Sequence, residues 1–331
     1  MSRKNIAIVM GGYSNEYDIS LRSGNVVYQH LDRSRYNPYR VLISKEGWYG
    51  LDDQDQKLAL NRSDFSLSLP EGPLYFDAVF NAIHGTPGED GILQAYLELI
   101  DLPQTSCDFY RAALTFNKRD CISILKPYGI PVARNHFLNQ GQEYDVEKII
   151  ERVGLPCFVK ANKAGSSYGI TKVKRHDEMD AAIAHAFAED DEVIIESFLS
   201  GTEVSVGVIR YEGKPKVLPI TEIVSENEFF DFAAKYEGKS QEITPARISE
   251  SQQELVETLA LKVYEVLKMT GFTRSEYIFH NGAPHFIEIN TTPGLSEASI
   301  LPQQAAAAGI ELPELFASAI EDCLERAAAD K

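Results

Sequence analysis

The chain has 331 residues, which at roughly 100–200 residues per domain predicts two or three domains rather than one. Its 49 acidic and 32 basic side chains give a formal net charge of −17, which argues against general binding to nucleic acid or to an anionic membrane. A composition of 44% hydrophobic and 24% charged residues is typical of an ordinary globular protein, and it argues against a disordered or collagen-like chain.

Cysteine usage and hydropathy indicate an intracellular protein. Cys107, Cys121, Cys157 and Cys323 form no CxxC pair, as expected for reduced thiols. The apolar run Ile6–Met10 is too short for the core of a signal peptide, and no stretch of about 18 apolar residues occurs. We therefore predict a cytoplasmic protein with neither a membrane nor a nucleic acid as partner.

The N-terminal third alternates between strand-like and helix-like segments. The predicted strands are Asn5–Met10, Tyr39–Ser44 and Asp77–Ile83, and the predicted helices are Ile19–Leu31 and Ile92–Leu99. This alternation predicts a parallel sheet with helices, which ends near Leu102 and Pro103.

The rest of the chain mixes helices with a larger number of strands. The predicted helices are Ala112–Tyr128, Asp177–Ala188, Glu254–Met269, Gln303–Ala308 and Leu312–Ala329. The predicted strands are Cys157–Ala161, Ile170–Val173, Glu192–Glu196, Val204–Tyr211, Lys216–Thr221, Arg274–His280 and Pro284–Asn290. Between them, Val224–Arg247 is polar and aromatic without a clean period, and long loops of this kind are usually functional or disordered.

Three segments with glycines follow predicted strands. Gly11-Gly12 precedes a helix, so a ligand could approach backbone N–H groups there. His84–Gly91 begins at a strand end, where open α/β sheets bind ligands. Lys160–Gly169 joins a strand lysine to a small-residue loop, which suits a phosphate chain. Neither a GxGxxG nor a Walker A motif is present, and a tight turn, a structural histidine and a plain hairpin are the alternatives.

The last two predicted strands carry the most informative polar residues. A two-residue turn at Asn281-Gly282 would place Arg274 and Glu276 on the face opposite Glu288 and Asn290. A three-residue loop, which includes Ala283, would instead pair Glu276 with Glu288 and Arg274 with Asn290. We favour the second register, because it gathers two carboxylates, an amide and an arginine on one surface. Oxygen ligands at this density suit Mg²⁺, whereas a solvated charged face is the alternative.

Taken together, these segments resemble the ATP-grasp superfamily and, within it, the D-alanine–D-alanine ligases. The resemblance covers nearly the whole chain, from Ala7 to about Leu324. The matching motifs, in family order, are GGYSNEYDISL, HGTPGEDG, the helix lysine Lys118, VKANKAGSSYGI, IIESFLSGTE, FFDFAAKY, TRSEY and EINTTPGLSEAS.

The resemblance implies an α/β (α+β) ATP-grasp fold with a Rossmann-like N-terminal domain, divided into residues 1–104, 105–200 and 201–331, with a lid at about 222–247. It implies ATP-dependent joining of two D-alanines through a D-alanyl phosphate, for peptidoglycan precursor synthesis. ATP is then a substrate, Mg²⁺ or Mn²⁺ (two ions) the cofactor, and a homodimer the assembly.

The family's functional residues transfer to matching positions of this chain. For ATP, the resemblance implies Lys118, Lys160, Ser167, Glu196, Ser197, Leu199, Glu203 and Lys235. For the metal, it implies Glu276, Glu288 and Asn290. For the amino-acid substrates, it implies Glu16, His84, Arg274, Ser299 and Ile300, and for catalysis Glu16, Ser166, Tyr236, Arg274 and Gly294.

Several positions depart from the family pattern. Glu276 stands where the family has Asp, Ala161 replaces a common Pro, and Phe230 and Phe232 replace lid tyrosines. Ser197 stands where a lysine often contacts adenine, and Asn117 stands where an Asp often precedes the helix lysine.

Three rival functions are a D-alanine–D-serine ligase, a D-alanine–D-lactate ligase and a non-catalytic nucleotide-binding protein. Tyr236 favours an amine acceptor, because ligases that make D-alanyl-D-lactate usually carry His there.

Overall fold

A computed structural model of the chain describes residues 3–163, 169–225 and 240–329. The fold is α/β, with helices packed on three sheets. The helices are α1 (Tyr17–His30), α2 (Ile92–Leu99), α3 (Phe109–Phe116), α4 (Lys118–Leu125), α5 (Val146–Val153), α6 (Met179–Phe187), α7 (Glu250–Val266), α8 (Ile300–Ala307) and α9 (Leu312–Ala329). Within the described ranges, no helix combines the length and the apolar character needed to cross a bilayer.

The first sheet is mixed, whereas the sequence predicts a parallel sheet. Its strands are β1 (Lys4–Gly11), β2 (Tyr36–Ser44), β3 (Gly47–Leu51), β4 (Lys57–Asn61), β5 (Ser66–Leu69), β6 (Gly72–Leu74) and β7 (Ala78–Asn81), in the order β6-β5-β4-β3-β2-β1-β7. Strands β2, β1 and β7 are parallel, as predicted, but β3 to β6 add an antiparallel extension. The prediction missed this extension because its strands are short and half-exposed.

The second sheet is antiparallel and carries the predicted phosphate lysine, Lys160. Its strands are β8 (Asn135–Asn139), β9 (Cys157–Ala161), β10 (Thr171–Val173) and β11 (Glu192–Ser197), in the order β10-β9-β11-β8. Apolar side chains of α5 and α6 pack against it in one core. Lys160 and Ile194 are cross-strand partners, so Lys160 shares a sheet face with Glu196, two residues beyond Ile194.

The third sheet carries the predicted metal residues. Its strands are β12 (Glu203–Tyr211), β13 (Lys214–Val217), β14 (Thr221–Ser225), β15 (Ser240–Ile243), β16 (Thr273–His280) and β17 (Ala283–Asn290), in the order β15-β14-β12-β16-β17, with β13 also paired to β12. The single strand predicted at Lys216–Thr221 is wrong. The chain leaves the ladder at Leu218–Ile220, where Pro219 has no N–H to donate.

The long loop predicted at Val224–Arg247 is only partly a loop. Its two ends belong to β14 and β15, which pair antiparallel. At their base, the Arg247 Nε donates to the Glu222 carboxylate at 2.8 Å, and this ion pair joins the two ends. Residues 226–239 lie outside the described residues.

The helix predicted at Ala112–Tyr128 is two helices and a short 3₁₀ turn. Asn117 has extended backbone angles (φ −85°, ψ 99°) and its side chain caps α4 by accepting from the Asp120 N–H. Helical periodicity continues across this break, so the sequence pattern did not reveal it. The break places Lys118 on the first turn of α4, where its backbone N–H lies 3.5 Å from the Asn162 carbonyl oxygen.

Candidate active site

The hairpin of β16 and β17 has the register that the sequence predicts. Glu276 is the cross-strand partner of Glu288, and Arg274 is the partner of Asn290. The predicted three-residue loop is wrong, because Asn281 and Gly282 form a two-residue turn with φ of 50° and 83°. A register shift between Glu276 and Tyr277 restores the predicted pairing. A β-bulge, and not a three-residue loop, therefore produces the predicted register.

Cations neutralise the two facing carboxylates. The Arg274 Nη1 lies 2.5 Å from the Glu276 Oε1 and also donates to the Ser205 Oγ at 3.1 Å. The Lys118 Nζ lies 3.5 Å from the Glu288 Oε2, so the predicted ATP lysine contacts a predicted metal ligand. This pairing offsets the cross-strand repulsion that would otherwise oppose the register.

The donor set fits a hard divalent cation. It combines two carboxylates with the Asn290 amide, whose Oδ1 already accepts from the Thr292 N–H at 2.8 Å. No group of three or more His, Cys, Asp or Glu side chains suited to a metal occurs in the part of the chain that the structure describes. The predicted set of Glu276, Glu288 and Asn290 contains two such side chains and an amide.

The predicted adenine and phosphate residues lie around the second sheet. The Lys160 Nζ forms an ion pair of 2.5 Å with the Glu196 Oε2, and both side chains are buried. The Ser197 Oγ accepts from the Arg134 N–H at 3.1 Å, so Ser197 is held at the end of β11. Leu199, two residues further along the chain, is buried, and Glu203 begins β12.

His84 joins α1 to the loop that follows β17. Its Nδ1 donates to the Thr292 carbonyl oxygen at 2.8 Å, and its Nε2 lies 2.9 Å from the Ser23 Oγ. Burial lowers the pKa of His84, although the charge of Glu16 opposes this, so the ring is neutral and Nε2 accepts from Ser23. The Ser23 Oγ in turn accepts from the Leu295 N–H at 3.2 Å. The network fixes this loop against α1 and His84.

The loop after β17 also forms a close wall around Gly294. A Cβ placed on Gly294 would approach the Ser299 Oγ to 2.8 Å, so only glycine fits here without a shift. The Ser299 and Ser296 hydroxyls lie 2.8 Å apart, just before α8 begins at Ile300. Ile300 packs against Ile223 of β14.

One cavity of about 250 Å³ brings the predicted substrate residues together. Of the residues named from the sequence, its lining includes Glu16, His84, Arg274, Asn290, Gly294, Ser299 and Ile300. The predicted residues Ser166, Ser167, Lys235 and Tyr236 lie outside the described residues. Glu288 lies on the same hairpin as Arg274 and Asn290, and Lys118 is linked to this group through its ion pair with Glu288.

Two acidic residues of this region were not predicted from the sequence. Glu242 of β15 lines the same cavity, but it belongs to a stretch without a recognisable period. Glu89 lies inside the quoted HGTPGEDG motif and is buried, and its Oε2 accepts from the Gly85 N–H at 2.6 Å. Burial raises the pKa of Glu89 to about 8, with the charge of Glu16 adding to the shift.

We expect Glu89 to make stability depend on pH. Its pKa is about 8 in the folded chain and about 4.3 when unfolded, so the unfolded state loses the proton first and stability falls as pH rises between these values. Glu89→Gln stays neutral and can still accept from Gly85. The melting temperature of Glu89→Gln, measured by calorimetry, should therefore rise relative to that of the unmodified chain as the pH increases from 5 to 8.

The exposed Glu98→Gln serves as the matched control for this measurement, and we expect it to follow the unmodified chain at every pH. A difference between Glu89→Gln and the unmodified chain that stays constant with pH would contradict the buried, protonated carboxyl.

Family models match almost the whole chain. The model of the D-ala D-ala ligase N-terminus matches residues 5–107, and that of the D-ala D-ala ligase C-terminus matches residues 124–321. Both matches include parts of the cavity described above.

Individual relatives agree with the family models. The chain is 61% identical over 324 residues to a D-alanine–D-alanine ligase of Christiangramia forsetii, with 98% of this chain and 99% of the relative covered. The crystal structure of the VanG D-Ala:D-Ser ligase from Enterococcus faecalis is similar at a TM-score of 0.86 and 30% identity, over 97% of this chain and 99% of that one. A D-alanine–D-alanine ligase from Bacillus anthracis complexed with ATP has a TM-score of 0.80 at 26% identity, over 99% of this chain and 100% of that one.

Proposed function

Because the chain belongs to the D-alanine–D-alanine ligase family, we propose that it joins two D-alanines into D-alanyl-D-alanine for peptidoglycan precursor synthesis, with ATP converted to ADP and phosphate. The observation that carries this proposal is the full-length match at 61% identity to a relative of that name. The shared cavity of Glu16, Arg274, Gly294 and Ser299 supports it, since it can take small zwitterionic substrates.

The carboxylate of the first D-alanine is a poor electrophile, and ATP activates it as an acyl phosphate. We propose that Lys118 and Lys160 neutralise the ATP phosphates, with Ser167 and Lys235 assisting. The linker from Glu196 to Leu199, including Ser197, would hold the adenine, and Glu203 the ribose. The buried Lys160–Glu196 ion pair supports this assignment, because it fixes the lysine near the end of β9 in the second sheet.

We propose that Glu276, Glu288 and Asn290 would hold two Mg²⁺ or Mn²⁺ ions. A divalent ion bound there would neutralise the charge of the transferred phosphoryl group. Glu276 is one methylene longer than the usual Asp, yet its carboxylate still faces Glu288 across the hairpin. The chain's own contribution is to hold this donor set on rigid strands.

The first D-alanine is proposed to bind with its ammonium group at Glu16 and beside His84. Arg274 and the Gly294 N–H then stabilise the oxyanion of the tetrahedral intermediate. Ser299 would bind the carboxylate of the second D-alanine, and Ile300 would contact its methyl group. The predicted catalytic residues Ser166 and Tyr236 complete the proposal, together with a lid that excludes water from the acyl phosphate.

Product analysis tests the choice of acceptor. With Mg·ATP and equal concentrations of D-alanine, D-serine and D-lactate, mass spectrometry should find D-alanyl-D-alanine as the main product. A main product with D-serine, as named for the Enterococcus faecalis relative, or with D-lactate would instead place the chain with the rival ligases. ATP binding without any product would favour the non-catalytic alternative.

We further propose a cytoplasmic homodimer. Ile92, Leu99, Phe109 and Tyr110 leave between 45% and 85% of their surface exposed on and beside α2, which supports an apolar contact with a second copy. Analytical ultracentrifugation should give twice the mass of one chain, and Leu99→Glu should shift the species toward the monomer. A monomer at micromolar concentration would contradict this assembly.

A further inference from the structure

Glu242 is an acidic residue of the cavity that the proposed mechanism does not use. It lines the cavity together with Ser299 and Ile300, to which the second substrate is assigned. Among the described residues, the lining includes Glu242 but neither Glu276 nor Glu288. The cavity thus brings Glu242 together with the residues assigned to the second amino acid, and its lining also includes Arg274 and Asn290.

The sheet register explains this placement. Glu242 pairs with Ile223, Ile223 pairs with Glu203, and Glu203 pairs with Ile278. Cross-strand partners in an antiparallel sheet share a face, and so do alternate residues of one strand. Glu242 therefore lies on the same face as Arg274 and Glu276. Its neighbour Glu222 pairs with Val204 and lies on the opposite face.

Arg22 and Arg274 line the cavity with Glu242, and Arg274 is shared among several carboxylates. Arg274 lies in the field of three carboxylates, those of Glu276, Glu288 and Glu242, and its Nη1 donates to Glu276. Burial raises the pKa of Glu242, with Glu276 adding to the shift and Arg274 opposing it. An arriving cation would stabilise the ionised Glu242 carboxylate.

The number of carboxylates in the cavity matches the substrates of the proposed reaction. Two amino acids bring two ammonium groups, and among the residues that the structure describes the cavity lining has two carboxylates, Glu16 and Glu242. Glu16 is assigned to the first amino acid. The Ile223–Ile300 contact lies beside Glu242 and offers an apolar surface for a methyl side chain.

We propose that the Glu242 carboxylate binds the ammonium group of the second amino acid and so orients the acceptor in the cavity. This inference rests on the proposed ligase function. It assigns Glu242 a contact with substrate that is separate from ATP, from the metal and from the first amino acid.

Glu242→Gln tests this contact, because it keeps the shape of the side chain and removes the charge. We expect the KM for the second D-alanine to rise by about tenfold to a hundredfold, as for the loss of a charge-assisted hydrogen bond. The KM for ATP should stay within twofold. Hydroxylamine is largely uncharged at pH 7.5 and traps D-alanyl phosphate without the second D-alanine, so its trapping rate should also stay within twofold.

D-lactate and a matched variant separate an ammonium contact from a general effect. D-lactate has no ammonium group, so its inhibition constant against the second D-alanine should be the same in Glu242→Gln and in the unmodified chain. Glu254→Gln removes an exposed carboxylate of α7, away from the cavity, and should leave both constants unchanged.

An unchanged KM for the second D-alanine would overturn the proposal, as would an equal rise in the D-lactate inhibition constant. Loss of hydroxylamine trapping would also overturn it, because Glu242 would then act on the first step. Failure of the unmodified chain to form any D-alanyl hydroxamate would instead refute the ligase function itself.

Discussion

Glu288→Gln is expected to lower kcat by about a thousandfold or more while the chain stays folded. The substitution keeps the shape of the side chain but removes one of the two facing carboxylates of the β16–β17 hairpin. A proposed metal ligand is lost, and Lys118 loses the carboxylate 3.5 Å from its Nζ. Charge stabilisation of a transferred phosphoryl group is worth several kcal/mol, and each 1.4 kcal/mol is about tenfold in rate.

The measurement is the steady-state rate over a range of Mg²⁺ concentrations, together with the thermal shift that Mg·ADP produces. Glu265→Gln on the exposed side of α7 is the matched control, and it should keep both properties. Near-normal activity of Glu288→Gln would refute the metal-site assignment. An unchanged thermal shift with Mg·ADP would show that Glu288 does not hold the metal of the nucleotide complex.

Arg274→Lys is expected to lower kcat by about a hundredfold to a thousandfold, which is the usual effect of removing one oxyanion donor. Lysine keeps the positive charge among three carboxylates, so the fold should persist. It loses the planar guanidinium, whose Nη1 contacts both Glu276 and Ser205. We expect kcat to fall far more than the KM for ATP changes, because the lost contact is made in the transition state.

Arg210→Lys is the matched control for this variant. Arg210 lies on β12 of the same sheet and pairs with Asp322 at 2.5 Å, away from the cavity. Replacement of Arg210 should lower the melting temperature and leave kcat nearly unchanged. If Arg210→Lys reduced kcat as strongly as Arg274→Lys, the effect would be one of sheet stability rather than of oxyanion stabilisation.

The sequence predicts the α/β class and the family well, because these depend on short-range patterns and on motifs in a fixed order. The strand β1 and the helix α2 are examples, since an apolar run before Gly11 and an apolar periodicity from Ile92 to Leu99 suffice. The antiparallel extension of the first sheet was missed, because strands of three to five residues with half-exposed faces carry little periodicity.

The β16–β17 hairpin shows how a site can be predicted for an incorrect reason. Glu276 was predicted to pair with Glu288 because this register gathers two carboxylates, an amide and an arginine on one face. The structure has this pairing. The sequence did not indicate the bulge that produces it, since a register shift depends on the packing of the whole sheet. The Asn281-Gly282 dipeptide correctly indicates the tight turn.

Glu242 and Glu89 show what motif recognition leaves out. The stretch around Glu242 has no period, and only the pairing of β15 with β14 turns this side chain toward the cavity. Glu89 is an ordinary acidic residue in the sequence, and its raised pKa comes from burial and from Glu16 more than seventy positions away. Long-range contacts of this kind are not encoded in local sequence patterns.

Phosphate release from Mg·ATP with D-alanine or with L-alanine as the only amino acid tests the central claim most directly. The ligase proposal predicts release that depends on D-alanine, one phosphate for each D-alanyl-D-alanine formed, and none with L-alanine. Equal release with both enantiomers, or release with neither although ATP binds, would contradict it.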